Sequence, residues 1–195
     1  MSEEVSRITL TGNCQTRCLS WYIQQLNFDF DVKWIQPEFS SEMPWANGDK
    51  FQNKPVHTIT EIEDSIRRLC CSDVVIYQHM KGRTSENFNT EKIKSYNAEC
   101  RYISISDFTY LPGDPLEESL KSTIHRSETL NIDVPAHKII EKHGEKIKIS
   151  KNNKRHPTVF YFLELVREIC LLTNWDYYNE KQYSRYLSEA YPSDY

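Results

Sequence analysis

Thr9-Leu10-Thr11-Gly12-Asn13-Cys14-Gln15 is the stretch on which the reading of this chain turns. Ahead of the glycine, Ile8 to Leu10 is strand-like. Behind it, Cys18, Leu19, Tyr22, Ile23 and Leu26 recur at the spacing of one helix face, which predicts a helix over Gln15–Leu26. A strand that ends in glycine therefore meets a helix at a turn whose mouth carries one thiol, one carboxamide and several unpaired backbone N–H groups. The unpaired N–H groups of such a helix start bind anions in α/β proteins, and nucleophiles are mounted at the same place. Glycine is scarce, five residues in 195, where average usage would give about 13. Gly12 thus reads as a position that requires positive φ or a close approach.

Working outward, Val32–Ile35 is a second short strand, bounded by Asp31 and Pro37, and Pro37 to Pro55 is a long loop with Trp45 and Asn47-Gly48. Thr60–Leu69 is helical, opened by the capping-box pattern Thr60-Glu61-Ile62-Glu63. Asp73-Val74-Val75-Ile76-Tyr77-Gln78 is a continuous β-branched run of the kind buried in parallel sheets. A helix over Asn89–Glu99 and a strand over Arg101–Ser106 follow. This alternation predicts right-handed βαβ units in a parallel sheet of about four strands. The second half reads as helices, over Pro115–Arg126, Val134–Gly144, Pro157–Thr173 and Glu180–Ala190. The expectation is an α/β fold in a single domain over 1–195. Residues 1–110 would form the α/β part and 111–195 a helical portion packed on it.

Net charge is −4, so whole-molecule electrostatics do not favour a nucleic-acid partner. No run approaches the roughly 18 to 20 apolar residues of a membrane span. Met1-Ser2-Glu3-Glu4 lacks the apolar core of a signal peptide, so the expected location is cytoplasmic. Cys14, Cys18, Cys70, Cys71, Cys100 and Cys170 are then expected to be reduced. They form no paired Cys-x-x-Cys hooks, so no metal site is expected.

Ligands of parallel sheets sit beyond the carboxyl ends of the strands. Cys14, Gln36, Gln78, His79, Ser106 and Asp107 all belong to that edge. The helix start favours the thiolate of Cys14, which makes the residue a candidate nucleophile; a small residue filling a tight turn is the plainer account. Asn13 and Gln15 bracket it as oxyanion donors, or Asn13 simply caps the helix. Arg17, in the first turn, suits a phosphate or stands in solvent. In His156-Pro157-Thr158, proline at the first helical position makes His156 an N-cap residue at the end of a rigid element, where a general base is useful. His79, after the best strand, is its rival. His57, His125, His137 and His143 read as solvated. Before His156, the run Lys146 to Arg155 carries five basic side chains; Lys154 and Arg155 would clamp ligand phosphates if the run is more than a solvated loop.

The chain resembles the WcbI family of polysaccharide-biosynthesis proteins. The likeness rests on Thr11-Gly12-Asn13-Cys14-Gln15 with its helix, on the Asp73–Gln78 strand, and on His156-Pro157-Thr158 opening an apolar helix. The three blocks cover about a quarter of the chain. The resemblance implies a flavodoxin- or SGNH-like sheet joined to a helical part, and transfer of acetyl from acetyl-coenzyme A to a saccharide hydroxyl. On it, Cys14 and His156 are the catalytic candidates. Gly12, Asn13, Gln15, Arg17, Gln78, His79, Lys154, Arg155 and Thr158 are the coenzyme-binding ones. Two other classes compete. One is an SGNH-like esterase with Cys14 in the nucleophile position; it would carry Asp just before the late histidine, where this chain has Asn153 and Lys154. The other is a non-catalytic coenzyme A or nucleotide binder.

Overall fold

The structure, a computed structural model, describes residues 6–26, 29–37, 59–79, 86–106, 116–143 and 159–176. The expected loop from Pro37 to Pro55, beyond Pro37 itself, and the expected helix over Glu180–Ala190 lie outside these residues. Four strands, β1 (Arg7–Thr11), β2 (Asp31–Ile35), β3 (Val74–Gln78) and β4 (Arg101–Ile105), form one sheet in the order β2-β1-β3-β4. Every pairing is parallel, with Leu10 opposite both Trp34 and Ile76, and Thr11 opposite Tyr77. The α/β fold with a parallel four-stranded sheet in the N-terminal half is therefore observed as expected.

Among the described residues six helices accompany the sheet: α1 (Cys14–Leu26), α2 (Ile59–Cys70), α3 (Thr90–Ser95), α4 (Leu116–Thr129), α5 (Ala136–His143) and α6 (Val159–Thr173). Side chains on a strand alternate between faces, and the core divides accordingly. Ile8, Leu10, Val74, Ile76, Ile103 and Ile105 pack with Leu19, Tyr22 and Ile23 of α1, with Ile139 and Ile140 of α5, and with the apolar residues of α6. Ile35, Val75 and Tyr77 pack on the opposite face with Leu69, Phe88, Ile93 and Cys100. Because both faces are covered, β3 is buried along its whole length, which is why its sequence is a continuous rather than an alternating apolar run.

α6 is buried on nearly every side, from Tyr161 through Val166 and again at Ile169 and Cys170. Its direction follows from its contacts. Phe162 stacks on Tyr22 of α1 at 5.8 Å. Trp175 meets Phe30, just ahead of β2, at 5.0 Å, and the Leu172 carbonyl accepts from Arg101, the first residue of β4. The C-terminal end of α6 is thus at the amino edge of the sheet, and its N-terminal end points to the carboxyl edge, as that of α1 does.

Most boundaries shift by a residue: α1 starts at Cys14, and α2 at Ile59, so that Thr60 lies within the helix and does not cap it. Further differences fall at α3, α4, α5 and the end of β4. A 3-10 turn at Glu86–Phe88 precedes α3, and α3 ends at Ser95, short of Glu99. Asn97 takes the chain out of the helix: its side chain donates to Ser72 O and accepts from Glu99 N. α4 runs on to Thr129, beyond Arg126. Val134 does not open a helix. It bridges Ile105 in parallel, donating to Ser104 O and accepting from Ser106 N. α5 starts only after Pro135, whose missing N–H suits a helix entry. β4 closes at Ile105 because Ser106 is taken up by that bridge.

Candidate functional site

The turn after β1 is fastened from both neighbouring strands. Gly12 has φ +153°, and a Cβ there would stand 2.6 Å from Gln78 Oε1 and 2.8 Å from Thr16 Cγ2. Glycine is required on both counts, backbone conformation and space. From β3, Gln78 Oε1 accepts the Asn13 backbone N–H at 3.0 Å. From β2, Trp34 Nε1 donates at 3.0 Å to Thr16 Oγ1, which itself donates to Asn13 O at 2.7 Å. Asn13 Oδ1 accepts from Gln15 N at 2.8 Å, and Asn13 O accepts from Thr16 N and Arg17 N. Of the two readings of Asn13, the capping one holds: its side-chain oxygen closes the first turn of α1.

Cys14 follows as the first residue of α1 and is exposed, whereas Cys18 is buried beneath it, as expected for the core stripe. The expected bias toward thiolate is not the net outcome. Although the residue is exposed, desolvation by the protein packed around it, then the neighbouring Cys18, pushes the Cys14 thiol up from its ordinary pKa, and the backbone N–H groups of Cys14 and Gln15 offset only part of that. Desolvation of the charged form wins over the helix start. Gln15 is buried. The Arg17 guanidinium lies 5.4 Å from the centre of the Trp34 ring, a cation–π contact on the β2 side of the turn.

β3 ends level with β1, so Gln78 and His79 lie beside Gly12 and Asn13. In the order β2-β1-β3-β4 this is the topological switch point, where the connections leave in opposite directions and a crevice opens. The His79 ring is edge-on to Tyr77 at 5.2 Å, with Nδ1 3.2 Å from Thr90 Oγ1. Its carbonyl accepts from Arg126 at 3.3 Å. Burial, then Lys94 and Arg126, lowers the His79 pKa from its ordinary value; Asp133 opposes them. The imidazole is accordingly neutral at pH 7. A cavity of about 10 Å³, lined by His79, Ser106, Thr123 and Arg126, adjoins it and has room for roughly one water.

Of the residues singled out from sequence, the structure brings together Gly12, Asn13, Cys14, Gln15, Gln78 and His79. Arg17 stands aside, over Trp34. Lys154, Arg155, His156 and Thr158 lie outside the described residues. Sequence reading missed Thr16, Trp34, Lys94, Thr123 and Arg126 near this edge. None carries a signal of its own, since each sits at a polar or aromatic position common to any helix or strand. It also misread two histidines. His137 is buried, and His143 Nε2 lies 2.7 Å from Glu164 Oε2, their side chains 15% and 5% exposed. For His143 the cause is the packing of α5 on α6. Beside that pair, a cavity of about 360 Å³ is lined by Val134, Ile139, His143, Glu168, Leu171 and Leu172, among others, and shares no residue with the turn.

Among the described residues no three His, Cys, Asp or Glu side chains gather as metal ligands would, and no helix is long and apolar enough to cross a membrane. No protein-family model matches the sequence, and no curated protein is similar enough to count as a relative.

Proposed function

We propose that this chain is a coenzyme A-dependent O-acetyltransferase that acts on a saccharide hydroxyl in cytoplasmic polysaccharide biosynthesis. The observation that carries the reading is the bond from Asn13 N–H to Gln78 Oε1, which ties the start of α1 to the end of β3 and sets Cys14 and His79, each one residue from that bond, at the crevice between β1 and β3. The likeness of Thr11–Gln15 to the WcbI family supplies the substrate class. The crevice suits such a donor. Gly12 lets a ligand approach the backbone where a Cβ would intrude, and the N–H groups at the start of α1 favour an acyl oxygen as it gains negative charge during attack. Lys94 and Arg126 make the neighbouring wall electropositive.

Coenzyme A, when bound as its acetyl thioester, supplies the acyl group and a good leaving thiolate. This chain supplies a base and a polar cradle. A neutral histidine takes the proton of the acceptor hydroxyl as its oxygen attacks the thioester carbonyl; the C–S bond breaks, and the proton passes to the leaving thiolate. His156 is the base implied by the resemblance. Within the described residues His79 is the histidine at the crevice, and burial keeps it neutral at pH 7; where Thr90 Oγ1 accepts from Nδ1, Nε2 is left to accept. A thiol held above its ordinary pKa is protonated at pH 7, which argues for direct transfer with Cys14 lining the pocket rather than for an acetyl-cysteine.

The test is a thermal-shift series with coenzyme A, acetyl-coenzyme A and nucleotide sugars. A ligand at 100 times its dissociation constant adds about 2.7 kcal/mol of stability. A midpoint that does not move with coenzyme A at millimolar concentration removes this reading.

A further inference from the structure

Gln78 has a second half that the turn does not use. Its residue is 6% exposed, and its Oε1 is committed to Asn13 N–H and packs against Gly12. Its Nε2 is buried and meets no acceptor among the described residues. An unmet buried donor costs about 1–3 kcal/mol, and native proteins keep few of them. The Gln78 carboxamide is anchored at Asn13 N–H, the residue before Cys14, beside the crevice where ligands of parallel sheets bind. A buried donor left bare at such a place is accounted for by an oxygen that arrives with the ligand.

We propose that Gln78 is the carbonyl-recognising residue of this site: its Nε2 donates to the acyl oxygen of the bound thioester while its Oε1 holds the Gly12–Asn13 turn in place. The inference rests on the acyl-transfer reading and names the part of the donor that Gln78 reads. An uncharged carboxamide matches a carbonyl oxygen, and it strengthens its hold as that oxygen gains charge during attack. A phosphate calls for cations instead; of the neighbouring guanidiniums, Arg17 lies over Trp34 and Arg126 donates to the His79 carbonyl. One side chain thus couples the shape of the turn to the presence of an acyl group.

Two measurements test this. In the first, the side-chain NH2 signal of Gln78 is followed by NMR in the wild-type chain during titration with S-acetyl-N-acetylcysteamine, a thioester without the nucleotide. A saturable downfield shift with slowed proton exchange is expected; an unmoved signal at tens of millimolar overturns the assignment. In the second, affinities for acetyl-coenzyme A and for S-ethyl-coenzyme A, which lacks the carbonyl, are compared in wild type and in Gln78→Glu. The variant keeps an acceptor for Asn13 N–H and loses the donor. The wild type should favour the acetyl compound by about tenfold, and Gln78→Glu should abolish the preference. Equal binding of the two compounds by the wild type overturns the role of Gln78 and leaves coenzyme binding standing. If neither compound binds while the short thioester moves the Gln78 signal, coenzyme recognition falls and the acyl site stands.

Discussion

Gly12 and Gln78 are in contact across the switch point: a Cβ on Gly12 would stand 2.6 Å from the carboxamide oxygen of Gln78, on a backbone with φ +153°. Gly12→Ala therefore has two costs, a disfavoured φ and a displaced Gln78, together about 2–3 kcal/mol. Urea unfolding should show a lowered midpoint with an unchanged slope. The Asn13 N–H would lose its acceptor in the same step, so coenzyme-dependent stabilisation should vanish with it. A variant within about 0.5 kcal/mol of wild type would mean that the turn tolerates a side chain and that the contact is looser than described.

The raised pKa of Cys14 makes a kinetic claim. With burial, then Cys18, holding the thiol above its ordinary value, alkylation by iodoacetamide at Cys14 should keep accelerating beyond pH 9, because only the thiolate reacts. Peptide mapping separates it from Cys70 and Cys71, which are also exposed. If direct transfer is right, Cys14→Ser should lower turnover by less than about tenfold, and intact mass should show no acetylated enzyme. A rate plateau near pH 7, or a loss of about a thousandfold in Cys14→Ser, would restore the covalent route.

Glu164 lies inside α6 with its carboxylate 2.7 Å from His143, 3.7 Å from Arg167 and 4.0 Å from Lys142. Its side chain is 5% exposed, whereas that of Glu168, which meets the same Lys142 at 3.9 Å, is 37% exposed. The two glutamates should separate sharply. Glu164→Ala leaves His143 facing an empty polar site in the α5–α6 junction and should cost about 3 kcal/mol. Glu168→Ala breaks a screened surface pair and should cost less than about 1 kcal/mol. Denaturation of the two variants side by side checks the ranking, and equal costs would contradict the burial of Glu164.

How much of this was legible follows from which signals are local. Val74 to Gln78 declares a buried parallel strand in five residues, because burial on both faces removes any need for polar alternation. Gly12 announces a tight turn through its rarity. Val134 could not be read: a one-residue bridge has no period, and its apolar neighbours fit the start of a helix equally well. Glu164 looks like a solvated position within an apolar helix, and only the arrival of α5 turns it into a buried partner for His143. The joining of Asn13 to Gln78, 65 residues apart, needs the strand order, and no local pattern states that β1 lies between β2 and β3. The candidate site was therefore visible as two fragments, one at each strand end. What fixes them to each other was not.

His79 offers the sharpest test of the electrostatics at the carboxyl edge. Burial first, then Lys94 and Arg126, holds its pKa below 6.5. Above pH 6.5 the imidazole is neutral in both folded and unfolded chains, and the group costs nothing. As pH falls below 6.5 the unfolded chain takes up the proton first, so stability is lost progressively down to the folded pKa. Long-range 1H–15N spectra of the imidazole should place its titration below 6.5, and Arg126→Gln should move it upward by removing one of the two cations that oppose the charged form. If His79 is the base of the proposed transfer, the acid limb of kcat/KM should move upward with it. A limb that stays in place while the His79 titration moves would assign the proton transfer to another histidine, with His156 first in line.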